Sequence, residues 1–387
     1  VLMANNIAFQ AMGKTYQVTA NVAAVTIQIN ADSPVNQYLV VSHEKTNGTG
    51  APVYVRISAT SASIVRYVSQ KAGIGIGAGR IRALGSPIRK GDAFHTGVIP
   101  FYKVFQAATR SCSQGGVRNG AATLYYPIWH YEVEDLLVLK NNKGTEDNRI
   151  RHMDYGVQFN KLMYERLLTG GDITLFSPHD VPEMYDAFFA DQDRFKELYE
   201  RAERNTKLRK KTVKALDLFT AFMNERKDTG RIYLMNVDHA NTHGSFNPEA
   251  APIRMSNLCC EITLPTRPLT DINDEAGRIS LCTLSAINWG LISEPEDFEK
   301  YCTLAVRGLD SLLSYQNYPI RAAQISTEEY RPLGVGIVNF AYWLAKNDLK
   351  YSDDAALERV NRFAEAWSYY LIKASADLAA EQGACLL

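Results

Sequence analysis

The sequence predicts an α/β protein, either an α/β barrel or a doubly wound sheet. From Ser58 onward, short apolar runs suited to buried strands alternate with helical patterns. The chain of 387 residues is 46% hydrophobic, which is enough to bury a sizeable core. Residues 1–56 differ, because alternating apolar runs separated by turn clusters predict a small β-rich segment there. We therefore divide the chain into residues 1–56 and 57–387.

Helical periodicity, caps and breakers place the elements in order along the chain. The predicted helices span residues 60–71, 101–109, 158–168, 185–188, 191–202, 211–226, 295–315, 333–346 and 355–381. The predicted strands are apolar runs at residues 122–126, 232–236, 259–264 and 279–284. This alternation is what favours a sheet or barrel with helices packed on it.

Charge and composition exclude several classes of protein. Lysine plus arginine equals aspartate plus glutamate at 42 each, so no overall field favours nucleic acid or an anionic membrane. Any phosphate binding must come from local groups. The apolar stretches are shorter than a membrane span, and the start lacks a signal-peptide pattern. We expect a cytoplasmic protein with no membrane or nucleic-acid partner.

The six cysteines form no CxxC pair and have no regular spacing, so we expect reduced thiols and no metal site. They are Cys112, Cys259, Cys260, Cys282, Cys302 and Cys385. The first residue is Val1, and Leu387 follows an unfinished helical pattern. We therefore expect the chain to be a fragment.

Residues 256–262 hold the most reactive combination of side chains. If this run is extended, its period of two places Asn257, Cys259 and Glu261 on one face. A carboxamide, a thiol and a carboxylate would then supply hydrogen bonds, a nucleophilic or radical centre and a general base. Cys282 lies in a second strand-like run and could be its neighbour. The alternative for both thiols is an inert position in the core.

Two loops have the composition of nucleotide-binding segments. The glycine-rich run 73–79 follows a helical pattern and opens no helix, which excludes a dinucleotide-binding fingerprint. It leads into Arg80, Arg82 and Arg89, which could grip a triphosphate or could form a solvated basic loop. Residues 111–120 form a second loop of small residues, amides and an arginine, which could reshape around a ligand.

His239 and His243 have the spacing of two zinc-binding residues on a helix. Ala240 occupies the position where a metalloprotease keeps its glutamate, and Asn241 and Thr242 are poor helix residues. We therefore expect no metal here.

Taken together, these segments resemble the large subunit of class I (aerobic) ribonucleoside-diphosphate reductase. The runs that carry the resemblance are residues 72–97, 111–129, 151–154, 173–178, 256–265 and 281–288. They occur in the family's order, and the similarity covers about residues 58–385. It implies a ten-stranded α/β barrel and a radical mechanism that replaces the 2′-hydroxyl of a nucleotide with hydrogen.

The same resemblance assigns roles to the reactive residues. Cys259 would become a thiyl radical and abstract the 3′-hydrogen of the ribose, and Glu261 would accept the proton of the 3′-hydroxyl. Asn257 would hydrogen-bond the ribose. Cys282 matches one half of the redox pair that delivers reducing equivalents and ends as a disulfide.

Effector binding is also implied by the resemblance. Arg82, Ile88 and Arg89 would meet a deoxynucleoside triphosphate or ATP at the dimer interface.

The loop at residues 112–121 would relay the identity of the effector to the substrate base, through Ser113, Gln114 and Arg118. No cofactor would be bound directly, because a metal-containing small subunit supplies the radical. The other implied partners are the ribonucleoside diphosphate substrate, a second copy of the chain, and thioredoxin or glutaredoxin as reductant.

The sequence departs from the family at both ends. Upstream of about residue 57 the family has a nucleotide-sensing region and a first barrel strand with the partner thiol of Cys282, whereas this chain has no cysteine before Cys112. The sequence also stops before the family's phosphate-binding loop, tyrosine relay and tail cysteines. We therefore expect an incomplete barrel.

Two alternative functions remain. The first is a catalytically incompetent fragment that binds nucleotides or a partner subunit. The second is a glycyl-radical or cobalamin-dependent barrel enzyme, which the close match of residues 256–265 to the aerobic class disfavours.

Overall fold

The computed structural model describes residues 73–88, 91–111, 113–114 and 118–386. The predicted β-rich segment at residues 1–56 and the predicted helix at 60–71 lie outside this range. The described residues form a mixed α/β fold, as the sequence predicts. In this described part, no helix combines the length and the apolarity needed to cross a membrane.

The strands are numbered in chain order. They are β1 (Ile74–Gly77), β2 (Pro87–Ile88), β3 (Ala93–Phe94), β4 (Ser113–Gln114), β5 (Arg118–Asn119), β6 (Ala122–Pro127), β7 (Asp154–Phe159), β8 (Asp172–Phe176), β9 (Lys210–Lys214), β10 (Ile232–Asn236), β11 (Thr283–Asn288) and β12 (Leu333–Val338).

The helices are numbered in the same way. They are α1 (Ile99–Arg110), α2 (Val133–Leu137), α3 (Lys161–Leu168), α4 (Pro182–Ala190), α5 (Gln192–Arg204), α6 (Ala215–Thr229), α7 (Val237–Thr242), α8 (Phe298–Tyr315), α9 (Arg321–Tyr330), α10 (Phe340–Lys346) and α11 (Asp354–Gln382).

A four-stranded parallel sheet with the order β1, β6, β7, β10 forms the centre of the main core. Every residue of β6 and β7 is buried, which is typical of parallel strands covered on both faces. Helices supply the covering aromatic side chains, and Trp129 packs edge-on against Tyr185 and Phe188. Burying each large apolar side chain contributes roughly 1.5–3 kcal/mol.

A second parallel pair, β11 and β12, lies in the C-terminal part of the described chain. Its loops and helices enclose a separate core that contains Trp289, Phe298, Trp343 and Phe363. The long helices α8 and α11 also contribute to this core. Cys282 lies just before β11 and therefore adjoins a different sheet from the one that contains β6 and β7.

Most of the predicted elements are confirmed. Helices occur within three residues of the predicted bounds at α1, α5, α8 and α11, and the predicted strands 122–126 and 232–236 coincide with β6 and β10 to within one residue. The glycine-rich run, predicted to be a loop, is instead strand β1. Because its glycines have no side chains, another segment of the chain can approach this strand closely.

Three other predictions of secondary structure outside the candidate site were wrong. The strand predicted at residues 279–284 begins only at Thr283, as β11. Residues 333–338, predicted as helix, are β12, because glycines and β-branched residues disfavour helix and fit a parallel strand. Asn339 has φ 65° and separates this strand from α10. Residues 210–214 are β9, so the helix predicted from 211 starts later. His239, Asn241 and Thr242 lie in the short helix α7.

Candidate active site

The residues predicted to be reactive lie in an irregular segment, residues 253–262, which we call the crossing segment. The predicted strand at 259–264 is wrong, because a turn forms at 258–259 and Cys260 has φ 67°. A left-handed backbone at a non-glycine residue interrupts an extended chain. The period-two argument for one shared face therefore fails, and the side chains are brought together by the turn instead.

Side chains of the central sheet hold the crossing segment by its carbonyl groups. Gln158 Nε2 donates to Arg254 O at 2.8 Å, and Tyr125 OH donates to Asn257 O at 2.6 Å. Thr123 Oγ1 donates to Leu258 O. At the start of the segment, Asn241 on α7 exchanges two hydrogen bonds with the backbone of Ile253. The segment thus runs across β7, β6 and β1, and side chains satisfy the carbonyl groups of residues 253, 254, 257 and 258.

Gly75 on β1 determines how closely the crossing segment can approach the sheet. A Cβ atom at this position would collide with the carbonyl oxygen of Ser256. We expect Gly75→Ala to destabilise the fold by about 1–3 kcal/mol, because the segment or the strand must shift. Urea unfolding would measure this loss. The matched control is Gly308→Ala on α8, where nothing lies within 4 Å and where alanine should stabilise the helix slightly.

Asn257 and Glu261 form the closest polar pair of the turn. Asn257 Nδ2 donates to Glu261 Oε1 at 2.7 Å, and Asn257 Oδ1 accepts from the backbone N–H groups of Glu261 and Ile262 at 3.2 Å each. The carboxamide therefore has both of its ends occupied. The exposed Glu261 carboxylate is held at a fixed position with its second oxygen available to a ligand.

Cys259 is exposed and lies beside this pair. Partial burial raises the pKa of its thiol above the usual range, and the negative charges of Glu261 and Asp154 raise it further, whereas Arg231 opposes them. A raised pKa keeps the sulfur protonated at neutral pH. The thiol is therefore mostly in its S–H form and is a weak nucleophile at neutral pH.

Asp154 lies in a run that carries the resemblance, but it is not among the residues predicted to be reactive. It is 6% exposed at the start of β7, and its carboxylate pairs with Lys140 Nζ at 2.6 Å and Arg231 Nη1 at 3.2 Å. Its cross-strand neighbour is Thr123, whose hydroxyl donates a hydrogen bond to the carbonyl of Leu258, the residue before Cys259. A carboxylate buried in an apolar strand is the signal that could have identified it.

The other two cysteines of the region differ in their surroundings. Cys260 is half-buried and packs against the main core, where its thiol lies within hydrogen-bonding reach of Tyr125 and Ser256. Cys282 is also half-buried and approaches Gly334 on β12. Burial raises the pKa of Cys282 first, and the charge of Glu261 raises it further. Glu261 therefore acts electrostatically on both Cys259 and Cys282.

Of the predicted effector residues, Arg82 and Ile88 are described in full. Arg82 is half-buried near His95, whose pKa is lowered first by burial and then by the charges of Arg82 and His179. Ile88 lies in the hairpin of β2 and β3. Arg89 lies outside the described residues. The loop at 79–88 thus collects positive charge in a limited space, which suits an anionic ligand.

The second loop is described only by its paired backbone. Ser113 and Gln114 form β4, which pairs antiparallel with β5, and Gln114 is opposite Arg118. Cys112 and residues 115–117 lie outside the described range. The predicted contacts of these side chains with substrate or effector stay predictions.

Glu132 is a further buried residue of this region that no pattern in the sequence predicts. Its carboxylate is 7% exposed and accepts hydrogen bonds from the backbone N–H of Leu84 at 2.7 Å and of Val98 at 3.2 Å. These bonds fix both ends of the stretch that contains the β2–β3 hairpin. Burial raises the pKa of Glu132, and the two backbone donors partly offset this effect.

The sequence of this chain is similar to one group of known proteins. The family model for the ribonucleotide reductase barrel domain matches residues 53–386. The ribonucleoside-diphosphate reductase subunit alpha of Haemophilus influenzae is 64% identical over 329 residues, which make up 85% of this chain and 44% of that protein.

Two further relatives show the same extent of similarity. The ribonucleoside-diphosphate reductase 1 subunit alpha of Escherichia coli is 64% identical over 329 residues, or 85% of this chain and 43% of that protein. The subunit alpha of Enterobacteria phage T4 is 53% identical over 333 residues, or 84% of this chain and 43% of that protein. The chain spans less than half the length of these curated relatives.

Proposed function

Because this chain belongs to the ribonucleotide reductase barrel-domain family, we propose that it takes part in reducing ribonucleoside diphosphates to 2′-deoxyribonucleoside diphosphates. The observation that supports this most directly is the Asn257–Glu261 hydrogen bond beside the exposed thiol of Cys259. A hydrogen-atom carrier, a base and an amide are thus collected on one turn. These are the groups that radical chemistry at a ribose requires.

The proposed reaction starts at Cys259. As a thiyl radical, its sulfur takes the 3′-hydrogen atom, so that an S–H bond forms and the ribose C3′–H bond breaks. Glu261 accepts the proton of the 3′-hydroxyl, which helps the 2′-hydroxyl to leave as water. Asn257 donates to the Glu261 carboxylate and so fixes the direction from which this base approaches the sugar.

Two thiols complete the reduction. Together they supply two electrons and two protons and end as a disulfide: one proton joins the departing 2′-hydroxyl to form water, and the other proton with the two electrons completes the new C2′–H bond. Glu261 returns its proton to the 3′-oxygen, and Cys259 returns its hydrogen atom to C3′ and becomes a thiyl radical again. Cys282 is the proposed first member of this pair. Because no cysteine precedes Cys112, a thioredoxin- or glutaredoxin-type dithiol would supply the second thiol and then reduce the mixed disulfide. The radical itself would be supplied by a metal-containing small subunit, and a second copy of the chain would complete the assembly.

The loop that contains Arg82 is the proposed site for a deoxynucleoside triphosphate effector. We expect Arg82→Ala to weaken dTTP binding by about 10- to 100-fold, because a charged hydrogen bond to phosphate is lost. Isothermal calorimetry would measure the affinity. Arg204→Ala, at the exposed end of α5, is the control and should bind dTTP as tightly as the unmodified chain. Equal affinities for all three would contradict the proposed effector site.

The proposed function is tested by product formation. The intact chain is mixed with a class I small subunit, CDP, an effector and a dithiol, and dCDP is measured by chromatography. Formation of dCDP supports the proposal. A folded chain that binds dTTP and forms no dCDP with the small subunit contradicts it, and favours a module that binds nucleotide or subunit without turnover.

A further inference from the structure

One carboxylate joins the two parts of the proposed site. Arg80 Nη2 donates to both oxygens of Asp186 at 3.1 Å, and Arg254 Nη1 donates to Oδ1 of the same residue at 2.9 Å. Arg80 belongs to the loop that contains Arg82, and Arg254 belongs to the crossing segment that carries Cys259. Asp186, on α4, therefore lies between the proposed effector loop and the proposed catalytic turn.

The same helix holds both guanidinium groups with aromatic rings. Arg80 lies 5.4 Å from the ring centre of Tyr185, and Arg254 lies 5.5 Å from that of Phe189. Tyr185 and Phe189 are four residues apart and share one face of α4, with their ring centres 5.3 Å apart. Both arginines thus have two attachments on α4, one ionic and one to a ring.

We propose that Asp186 couples nucleotide binding at the loop of Arg80 and Arg82 to the position of the crossing segment. This inference rests on the proposed function. Two arrangements are possible: Asp186 shared by both arginines, or Asp186 paired with Arg254 alone. An anionic phosphate at the loop competes with Asp186 for Arg80, and it therefore favours the second arrangement.

The second arrangement tightens the crossing segment. When Arg80 turns to the phosphate, the full charge of Asp186 acts on Arg254, two residues from Ser256 and the start of the turn. Cys259 is exposed in the shared arrangement, and a more firmly held segment should lower its reactivity. The ion pair is half-exposed, with side-chain exposures of 48% for Arg80 and 47% for Asp186, so its loss should leave the fold intact.

The test measures the rate at which iodoacetamide alkylates Cys259 in the intact chain, with and without dTTP, using tandem mass spectrometry to separate Cys259 from Cys260. We expect dTTP to slow the reaction at least about fivefold in the unmodified chain. In Asp186→Asn the effect should shrink to within about twofold of no change. Glu183→Gln, on the same helix and paired only with Arg194 and Arg201 among the ion pairs of the described residues, should keep the full effect.

A double-mutant cycle completes the experiment. Arg80→Gln should reduce the dTTP effect as Asp186→Asn does, and the double variant should reduce it no further. If dTTP binds by calorimetry and the effect is equal in Asp186→Asn and the unmodified chain, the coupling is overturned and the proposed function stands. The same holds if dTTP binds without changing the rate in the unmodified chain. If dTTP does not bind at all, the effector site and the coupling are both overturned.

Discussion

Replacing Cys259 by serine is expected to lower dCDP formation by more than about 10³-fold, down to background. An alcohol O–H bond is much stronger than a thiol S–H bond, so serine cannot carry the radical that abstracts the ribose hydrogen. The side chain is exposed, and the change should therefore alter the free energy of unfolding by less than about 0.5 kcal/mol. The loss would then be chemical and not a failure to fold.

The matched control for this prediction is Cys385→Ser. Cys385 is also exposed, and it lies after the end of α11, far along the chain from the crossing segment. We expect this variant to form dCDP at the rate of the unmodified chain, and we expect dTTP binding to be unchanged in both variants. Product formation by Cys259→Ser at a rate comparable with Cys385→Ser would show that another residue initiates the reaction.

The sequence predicts the fold class because the strands of the central sheet have unambiguous patterns. β6 and β10 are short apolar runs between turn signals, and both were predicted almost to the residue. The sequence of β12 predicts a helix, since an apolar run of this length does not distinguish a buried strand from a helical segment by periodicity alone. Its pairing with β11 decides the outcome, and that long-range contact is not visible in a local pattern.

The sequence likewise predicts only part of the candidate site. The sequence names Asn257, Cys259 and Glu261 correctly as neighbours, but the strand used to explain this does not form, and the left-handed Cys260 creates the turn. A positive φ at cysteine cannot be anticipated from residue type, because cysteine rarely adopts it. The structure also adds Asp154, whose position beside the turn depends on pairing between β6 and β7.

Glu261 is the proposed base of the reaction. We expect Glu261→Gln to lower dCDP formation by about 10²- to 10⁴-fold, because the amide cannot accept the proton of the 3′-hydroxyl. Glutamine can still accept the hydrogen bond from Asn257 Nδ2, so the turn should persist. Glu328→Gln, an exposed position on α9, makes the same chemical change away from the site and should leave product formation unaltered.

A thiol measurement separates loss of a base from loss of structure in the Glu261→Gln variant. The charge of Glu261 raises the pKa of Cys259, so its removal should lower that pKa and increase the thiolate fraction at a fixed pH near 8. Alkylation of Cys259 should then be faster in Glu261→Gln and unchanged in Glu328→Gln. Slower alkylation would mean that the turn has rearranged to bury the thiol. In that case the loss of product could not be assigned to the missing base.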